Sequence, residues 1–391
     1  MNQNVSQRKT FTHHAVLILL LFLVSMVLPF LQVRENRIAE ELTIGIFALG
    51  IPSFILLLVP PMILVLSVFV SQNNRANWLL SIAGVLGLLV PMLVLASIGE
   101  KKIANLGAFA RYSPASGMYL YMTANAIMYL MKPKVQKQDK VFLFLVVLCM
   151  AFLGSIGRYD HLGILLEAKN LGPRLNQEIV AHIRITGISL GISIGIGIPL
   201  ALLSFQNRRI RAMVFPVLNI LQTIPGIALF GLLIAPLAAL SKAFPLLREW
   251  GIQGIGNTPA IIALSIYALY PIIRYTYTSL AGIDEQVILA ASGMGMNSRQ
   301  LWWIVRLPLA TVGILHGIRV ALVQTIGNAT LAKLIGGDGL GVLVFEGLGQ
   351  ESVDMVLLGM LLIIALTVVT DRLFQILIIL MTPKPLRREA Y

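Results

Sequence analysis

The sequence predicts an all-α protein that crosses a membrane many times. Of its 391 residues, 57% are hydrophobic and 12% are charged, and the mean hydropathy is +0.86. Apolar runs of about 18 residues or more, each long enough for a hydrocarbon core of about 30 Å, recur along the chain. This composition excludes an ordinary water-soluble domain.

We predict ten membrane-spanning helices. Pro52, Pro60 and Pro61 predict a tilted or kinked second helix. Arg8 and Lys9 precede the first apolar stretch, but no A-x-A-like cleavage site follows, so we expect an uncleaved span. The predicted spans are 15–33, 43–70, 77–98, 115–131, 141–156, 184–205, 212–240, 257–280, 308–334 and 353–381.

The charge distribution predicts the orientation of these spans. An even number of spans places both termini on one side, and basic residues favour the cytoplasmic side. With both termini in the cytoplasm, most acidic residues, such as Glu40, Glu167 and Asp354, fall outside. The basic clusters then inside are Arg8/Lys9, Arg75, Lys132/Lys134/Lys137/Lys140, Arg208/Arg209/Arg211, Arg274/Arg299/Arg306 and Lys384/Arg387/Arg388.

Several kinds of site find no support in the sequence. The net charge of +13 comes from short clusters between apolar segments and not from a basic helix, so nucleic-acid binding is not indicated. The five histidines lie in different regions and Cys149 is the single cysteine, so we predict no metal site, no disulfide and no catalytic residues. The glycine-rich stretch 336–349 follows no strand and lacks Gly-Lys-Ser/Thr, so it predicts an external turn or gate, or a plain loop, and no bound cofactor.

The chain divides at its longest polar stretch, residues 157–183, which the predicted orientation places outside the membrane. Residues 1–156 hold five predicted spans without recognisable motifs. Residues 184–391 hold five more, rich in Gly, Pro and polar residues within the spans, as a moving translocation core requires. We therefore predict two membrane regions joined by a connecting segment.

A polar stretch, GIDEQVILAASGMGMNSRQLWWIVRLP at 282–308, separates two long apolar segments. Residues 284–294 favour a helix, which Gly293 and Gly295 end, and Asn297 or Ser298 can cap a second short helix. The pattern predicts a helix–turn–helix presented to water, where Met294 and Met296 offer an adaptable apolar contact. The alternative is an ordinary solvated loop.

The same stretch resembles the cytoplasmic EAA loop of permease subunits in binding-protein-dependent, ATP-driven importers. That pattern has a Glu-Ala-Ala triplet, a Gly at fixed spacing and an aliphatic-x-Leu-Pro ending, and Leu289 occupies the Glu position here. The resemblance implies that a separate ATP-binding subunit hydrolyses ATP and docks on this loop. The matching residues are Ala290, Ala291, Gly295, Val305, Leu307 and Pro308, and the implied contacts are Glu285, Leu289, Ala290, Ala291, Gly293, Gly295, Met296, Ser298, Arg299 and Pro308.

Three further stretches are similar to the permease subunits of osmoprotectant importers for glycine betaine, choline or carnitine. They are VLNILQTIPGIALFGLLIAPLA, TPAIIALSIYALYPIIRYTYTSL and VQTIGNATLAKLIGGDGLG, and the extra N-terminal spans resemble the Yeh glycine betaine uptake branch. The resemblance implies a MetI-like five-helix core with a five-helix extension, in a bacterial inner membrane. The implied partners are an ATPase dimer, a periplasmic binding protein, membrane lipid and either a second permease subunit or another copy of this chain.

Other functions stay open at this stage. The first alternative is a related importer permease for amino acids or other small solutes. Only the similarity of the three stretches above to osmoprotectant permeases argues against it. An ion-coupled secondary transporter would carry ion-binding carboxylates within its spans, and Asp371 is the one acidic residue well inside a core span. A sensor or scaffold that transports nothing is a third alternative.

Polar residues within the core spans predict a translocation path. Asn219, Gln222 and Thr223 share a helix face, and Pro225 removes a hydrogen bond and opens the helix there. These residues either meet a hydrated path or bind neighbouring helices. The remaining candidates are Tyr267 and Tyr270, for a quaternary ammonium or for anchoring at the membrane interface, and Gln324, Thr325 and Asn328.

The span after the loop also carries Arg319, on the face opposite Gln324. A charge within a span needs a partner, and we hypothesise an ion pair with Asp371. The alternative is that Asp371 and Arg372 both reach the cytoplasmic interface.

Overall fold

The computed structural model describes residues 2–37, 39–69, 74–107, 109–130, 137–249 and 251–382. It divides into two compact units, Met1–Asn170 and Leu171–Tyr391. The basic residues Lys132, Lys134, Lys384, Arg387 and Arg388, on which part of the predicted orientation depends, lie outside the described residues.

The first unit is helical, as predicted, with one small sheet. Of its five long helices, α3 contains the predicted span 77–98 whole, the other four contain theirs only in part, and a shorter helix follows them. The helices are α1 (Asn2–Val27), α2 (Ile51–Phe69), α3 (Asn74–Ile103), α4 (Ser116–Leu130), α5 (Lys137–Ser155) and α6 (Gly163–Leu171).

A three-stranded antiparallel sheet was not predicted. It has the order β2-β1-β3 and is formed by β1 (Pro29–Arg34), β2 (Leu42–Gly45) and β3 (Arg111–Pro114). The prediction of a first span over 15–33 is therefore wrong at its end, because Pro29 has no N–H for a helix and disfavours helical geometry in the preceding residue. The strand after it is largely buried.

Buried polar contacts hold the sheet to the helices of the first unit. The Glu167 carboxylate of α6 is 2% exposed and accepts a hydrogen bond of 2.7 Å from Arg111 of β3, and Arg37 approaches it to 3.1 Å. Tyr121 of α4 packs edge-on against Phe22 and donates to the Leu57 carbonyl at 2.8 Å. The Glu167 contact attaches β3 to α6, and the Tyr121 contacts join α4 to α1 and α2.

The second unit contains the core helices. The helix α7 begins at Pro173, well before the predicted start of a span at 184, and the predicted span 212–240 is two helices. The elements are α7 (Pro173–Gln206), α8 (Arg208–Thr223), α9 (Gly226–Ala243), α10 (Pro245–Glu249), α11 (Asn257–Ala281), α12 (Glu285–Gly293), α13 (Ser298–Gln300), a π-helical segment (Leu301–Arg306), α14 (Leu307–Asn328), a 3-10 helix (Ala329–Ile335), α15 (Gly341–Gly349) and α16 (Val353–Met381).

Small residues bring α7, α11 and α14 close together. Ser193 of α7 donates to the Ser265 carbonyl of α11 at 2.9 Å. A Cβ added at Gly317 of α14 would lie 2.7 Å from the Tyr275 Cβ of α11, so this position requires glycine. Close backbone approach and interhelical hydrogen bonds are how membrane helices associate in the absence of a hydrophobic driving force. The three helices form the rigid centre of the unit.

Six helices in the described residues are long and apolar enough to cross a membrane. Two shorter apolar helices lie at His14–Val27 and Ile51–Ser67. The count of ten spans stays a prediction. The six helices are Asn77–Ile103, Pro173–Gln206, Gly226–Ala243, Asn257–Ala281, Ser298–Ile335 and Val353–Met381.

Candidate functional site

The loop at 282–308 folds as a capped helix–turn–helix. Asp284 caps α12 by accepting from the Gln286 N–H at 2.9 Å. Gly295 then adopts a φ of +83°, the left-handed conformation that favours glycine. Asn297 and Gln300 form a reciprocal capping box at the start of α13, with both bonds 2.9 Å long. The predicted helix, turn and second helix are therefore present, and Asn297 is the cap.

Most of this loop is exposed, including apolar side chains. Leu289 is 65% exposed and Met294 is 72% exposed, whereas Ala291 is buried and Met296 is half-buried. Nothing lies within 4 Å of a Cβ added at Gly295. Leu289 and Met294 therefore present apolar side chains at the surface of a polar loop. The other predicted contacts, which are Glu285, Ala290, Gly293, Ser298 and Arg299, are exposed, and Pro308 is half-buried.

A π-helical turn connects the loop to α14. The Leu307 N–H donates to the Trp302 carbonyl five residues back, and Pro308, which has no N–H, stands at the start of α14. Such turns are rare and are frequent at functional sites. The sequence analysis had predicted an ordinary short helix in this segment.

An aromatic and arginine cluster lies beneath the loop and was not predicted. The Phe205 ring of α7 lies 6.2 Å from the Trp302 ring, and the Arg306 guanidinium lies 5.5 Å from the centre of the Phe205 ring. Tyr277 of α11 stacks edge-on against Phe205 and accepts a hydrogen bond from Arg211 of α8. Cation–π and aromatic contacts of this kind each contribute about 0.5–1.5 kcal/mol. The cluster joins the loop to three core helices.

The spacing of aromatic and arginine residues gave no signal for this cluster, because its members come from segments far apart in the chain. The sequence analysis assigned Arg211, Arg274 and Arg306 only to the positive charge of the cytoplasmic side. In the structure each of them lies against an aromatic ring.

The break at Pro225 is held open by two neighbouring side chains. Ile224 and Pro225 adopt extended ψ angles of 126° and 139°, so α8 and α9 are separate helices. The Tyr267 hydroxyl of α11 donates to the freed Ile224 carbonyl, and the Gln222 amide donates to the Tyr267 carbonyl at 2.9 Å. The predicted opening of the helix is therefore present. The Ile224 carbonyl that the break exposes receives its hydrogen bond from Tyr267 of α11.

The remaining path candidates differ in their exposure. Tyr267 is buried, at 5% exposed, and its hydroxyl is engaged. Thr325 is also buried and donates to the Ala321 carbonyl of its own helix at 2.7 Å. The exposed candidates are Asn219, Thr223 and Pro225, and the half-buried ones are Gln222, Tyr270, Gln324 and Asn328.

The hypothesised pair between Arg319 and Asp371 is confirmed. The Arg319 Nε donates to Asp371 Oδ1 at 2.6 Å, and Nη2 donates to Oδ2 at 2.7 Å. This two-bond geometry is the strongest form of an arginine–carboxylate contact. It joins α14 to α16.

The glycine-rich stretch forms a fixed turn followed by α15. Gly336 and Gly339 have positive φ angles of 78° and 114°. The Asp338 N–H donates to Asn257 Oδ1 at 2.9 Å, and the Asn257 amide donates to Asp338 Oδ2 at 2.7 Å. The Gly339 N–H donates to Glu178 Oε2 of α7 at 2.9 Å. The turn Gly336–Leu340 is thereby attached to both α7 and α11.

An ion-pair network holds α15 to the same end of α7. Glu346 accepts two hydrogen bonds from Arg174, at 2.8 and 2.9 Å, and one from Lys333 at 3.1 Å. Burial raises the pKa of the Glu346 carboxyl, but the hydrogen bonds from Arg174 and Lys333 outweigh burial and hold the pKa below its ordinary value.

The described side chains offer no cluster of metal ligands. No group of three or more His, Cys, Asp or Glu residues there could hold a metal ion. Charge in this part of the chain is used for ion pairs and for cation–π contacts.

Comparison with known proteins gives consistent matches for both parts of the chain. A family model described as the binding-protein-dependent transport system inner membrane component matches residues 191–380. A second model, described as the N-terminal domain of the ABC transporter permease YehY, matches residues 10–165.

Curated relatives match the second part. The osmoprotectant import permease protein OsmW of Salmonella typhimurium is 36% identical over 206 residues, which are 53% of this chain and 91% of OsmW. The choline transport system permease protein OpuBB of Bacillus subtilis is 31% identical over 217 residues, which are 56% of this chain and 93% of OpuBB. A solved structure of the inward-facing MetNI methionine ABC transporter is 21% identical, with a TM-score of 0.48, and covers 55% of this chain and 99% of that chain.

The first family model and the two curated relatives agree on one family. The relatives OsmW and OpuBB are each covered over more than 90% of their length, at 91% and 93%. The chain therefore belongs to the permease subunits of binding-protein-dependent ABC importers, which are membrane components that act with a separate ATP-hydrolysing subunit.

Proposed function

We propose that this permease imports a compatible solute, most readily glycine betaine or a related quaternary amine, across the bacterial inner membrane. The relatives named above are described as osmoprotectant and choline transport permeases. A related permease named for carnitine is 34% identical over 216 residues. These names support the solute class and leave the individual solute open.

The observation that carries the mechanism is the exposed, capped loop between α11 and α14. In the proposal, Leu289 and Met294 insert into a groove of the ATP-binding subunit, and Ala290, Gly293 and Gly295 allow close approach. Leu289, which replaces the Glu of the family pattern, contributes an apolar contact in place of a salt bridge.

The aromatic and arginine cluster carries the movement of the loop into the membrane. Because Trp302 packs on Phe205, and Tyr277 on both Phe205 and Phe215, a displacement of the loop moves the cytoplasmic ends of α7, α8 and α11 together. Closure of the two ATP-binding subunits then rocks the core helices as rigid bodies.

The solute passes the break between α8 and α9 in this proposal. Asn219, Thr223 and Pro225 are exposed beside the break and provide polar groups, whereas Tyr267 holds the break open from behind. Gln324 and Asn328 of α14 contribute from the other side of the path. A periplasmic binding protein delivers the solute, and a second permease subunit or another copy of this chain completes the path. Both termini face the cytoplasm.

The first test is co-purification of the tagged chain in mild detergent, followed by uptake of labelled glycine betaine into proteoliposomes. We expect an ATP-binding subunit to co-purify and uptake to require internal ATP and added binding protein. Uptake by the chain alone, driven by an ion gradient, would contradict the proposal. The pairing of Asp371 with Arg319 already occupies the carboxylate that such an ion-coupled mechanism would need.

A further inference from the structure

A polar pocket lies beside the first turns of α7, next to the turn Gly336–Leu340. We call it the α7 pocket. Its volume is about 520 Å³, within the range of roughly 300–1,000 Å³ that is usual for small-molecule sites. Its walls include two carboxylates, one guanidinium and two amides, which belong to Glu178, Asp338, Arg184, Asn176 and Gln177.

The two carboxylates are fixed in place by backbone and amide groups. Glu178 is 9% exposed, and its Oε2 accepts from the Gly339 N–H at 2.9 Å. Asp338 is held by its reciprocal pair of hydrogen bonds with Asn257. Groups that are already positioned bind a ligand without losing further conformational freedom. Asp338 therefore offers an immobile negative charge, whereas the charge of Glu178 is balanced by Arg174, whose Nε lies 3.5 Å from Oε1.

Arg184 supplies the opposite charge. Its side chain is exposed and makes no ion pair with the residues that the structure describes. It belongs to a helix long and apolar enough to span the membrane, where charged side chains face water-filled cavities and mark the routes of solutes. Its guanidinium fork matches the two oxygens of a carboxylate. Arg184 is thus available to an anionic group that enters the pocket.

These charges together suit a small zwitterion. A quaternary ammonium donates no hydrogen bond, so the Asp338 carboxylate, which is already engaged by the neutral Asn257, still attracts it through its charge. We infer that the α7 pocket binds a zwitterionic quaternary amine before it enters the path, with Arg184 on its carboxylate and Asp338 near its cation. The solute class rests on the proposed function, whereas the pocket and its charges do not.

The test is equilibrium binding of labelled glycine betaine and labelled choline to the full-length chain in lipid nanodiscs, without the binding protein. Choline is a cation without a carboxylate, so it reports on the anionic residues alone. We expect Arg184→Gln to weaken glycine betaine binding about tenfold, the loss of one charge-assisted contact, and to leave choline binding as strong or stronger, because Arg184 repels that cation. Asp338→Asn should weaken both ligands. Lys242→Gln removes an exposed positive charge outside the pocket and should change neither.

Equal effects of Arg184→Gln on both ligands, or no effect on either, would overturn the assignment, as would the absence of glycine betaine binding to the unaltered chain. Arg184→Lys keeps the charge and loses the fork, so an intermediate affinity separates loss of a contact from loss of folding. ATP-dependent uptake is measured independently. If ATP-dependent uptake persists but binding does not depend on Arg184, the pocket assignment is wrong and the proposed function stands. If binding follows the expected pattern but uptake does not depend on ATP, the proposed function is wrong and the pocket assignment stands.

Discussion

Replacing Asp371 with Asn tests whether the pair with Arg319 holds α14 against α16. The wild-type pair has two charge-assisted hydrogen bonds, of 2.6 and 2.7 Å, and its side chains are 26% and 28% exposed. Asparagine retains one acceptor, so Asp371→Asn removes one such bond and leaves the Arg319 charge without its counter-ion. A hydrogen bond to a charged group contributes about 1.5–3 kcal/mol, and breaking a fully buried pair costs about 3–5 kcal/mol. Because this pair is partly exposed, we expect a loss of about 2–3 kcal/mol.

The assay is reversible unfolding in mixed micelles, carried out as a double-mutant cycle with Arg319→Gln and Asp371→Asn. The single variants should each lose stability, and the double variant should lose less than their sum, because the second substitution removes a charge already left unpaired. Arg372→Gln is the matched control, since it removes a neighbouring positive charge that hydrogen-bonds to Gln375 and reaches Asp371 only through long-range electrostatics, so its effect should be smaller than that of Arg319→Gln. A coupling energy near zero, or an Asp371→Asn variant as stable as the wild type, would refute the reasoning.

Three further predictions concern the loop at 282–308, the ion-pair network of Glu346 and the face of α7 that carries Gly191. Gly295→Glu places a side chain at a φ of +83° on the exposed turn, so we expect normal membrane insertion with loss of ATPase co-purification, and retained co-purification would count against the docking role. Because folding lowers the pKa of Glu346, its network stabilises the folded state at neutral pH and this contribution is lost as the pH falls through the lowered pKa; hydrogen exchange in 336–349 should therefore increase in acid, and Glu346→Gln should abolish that dependence. Nothing lies within 4 Å of a Cβ added at Gly191, so Gly191→Val should leave the single chain stable, and reduced cross-linking between permease subunits would show that this face packs against a second subunit.

The helical character of the chain and the shape of the loop were predictable because both depend on local chemistry. Long apolar runs demand helices, and the sequence from Asp284 to Gln300 contains its own cap, a glycine suited to a left-handed turn and a second capping box. The opening at Pro225 was predictable for the same reason, since proline removes a helix hydrogen bond wherever it stands.

The elements that were missed depend on segments distant in sequence. The small sheet pairs Pro29–Arg34 with Arg111–Pro114. The first of these strands ends a longer apolar run, and composition alone cannot distinguish such a short apolar strand from the end of a helix. Tyr267 was predicted as a residue of the path, but whether its hydroxyl faces the solute or the Ile224 carbonyl depends on how α11 lies against α8. The loop's aromatic and arginine cluster draws on α7, α8 and α11, whose juxtaposition no local pattern records.

The sequence by itself determined the membrane environment, the family resemblance and the capped loop, because hydropathy, capping and glycine conformation act within a few residues. Only the tertiary structure decided which polar groups are free. It engaged Asp371 with Arg319 and Tyr267 with Ile224, and it left Arg184 exposed in a pocket with two fixed carboxylates. The physical reason is that a polar group within a membrane protein must be satisfied, and its partner is set by helix packing, which brings together residues far apart in the chain.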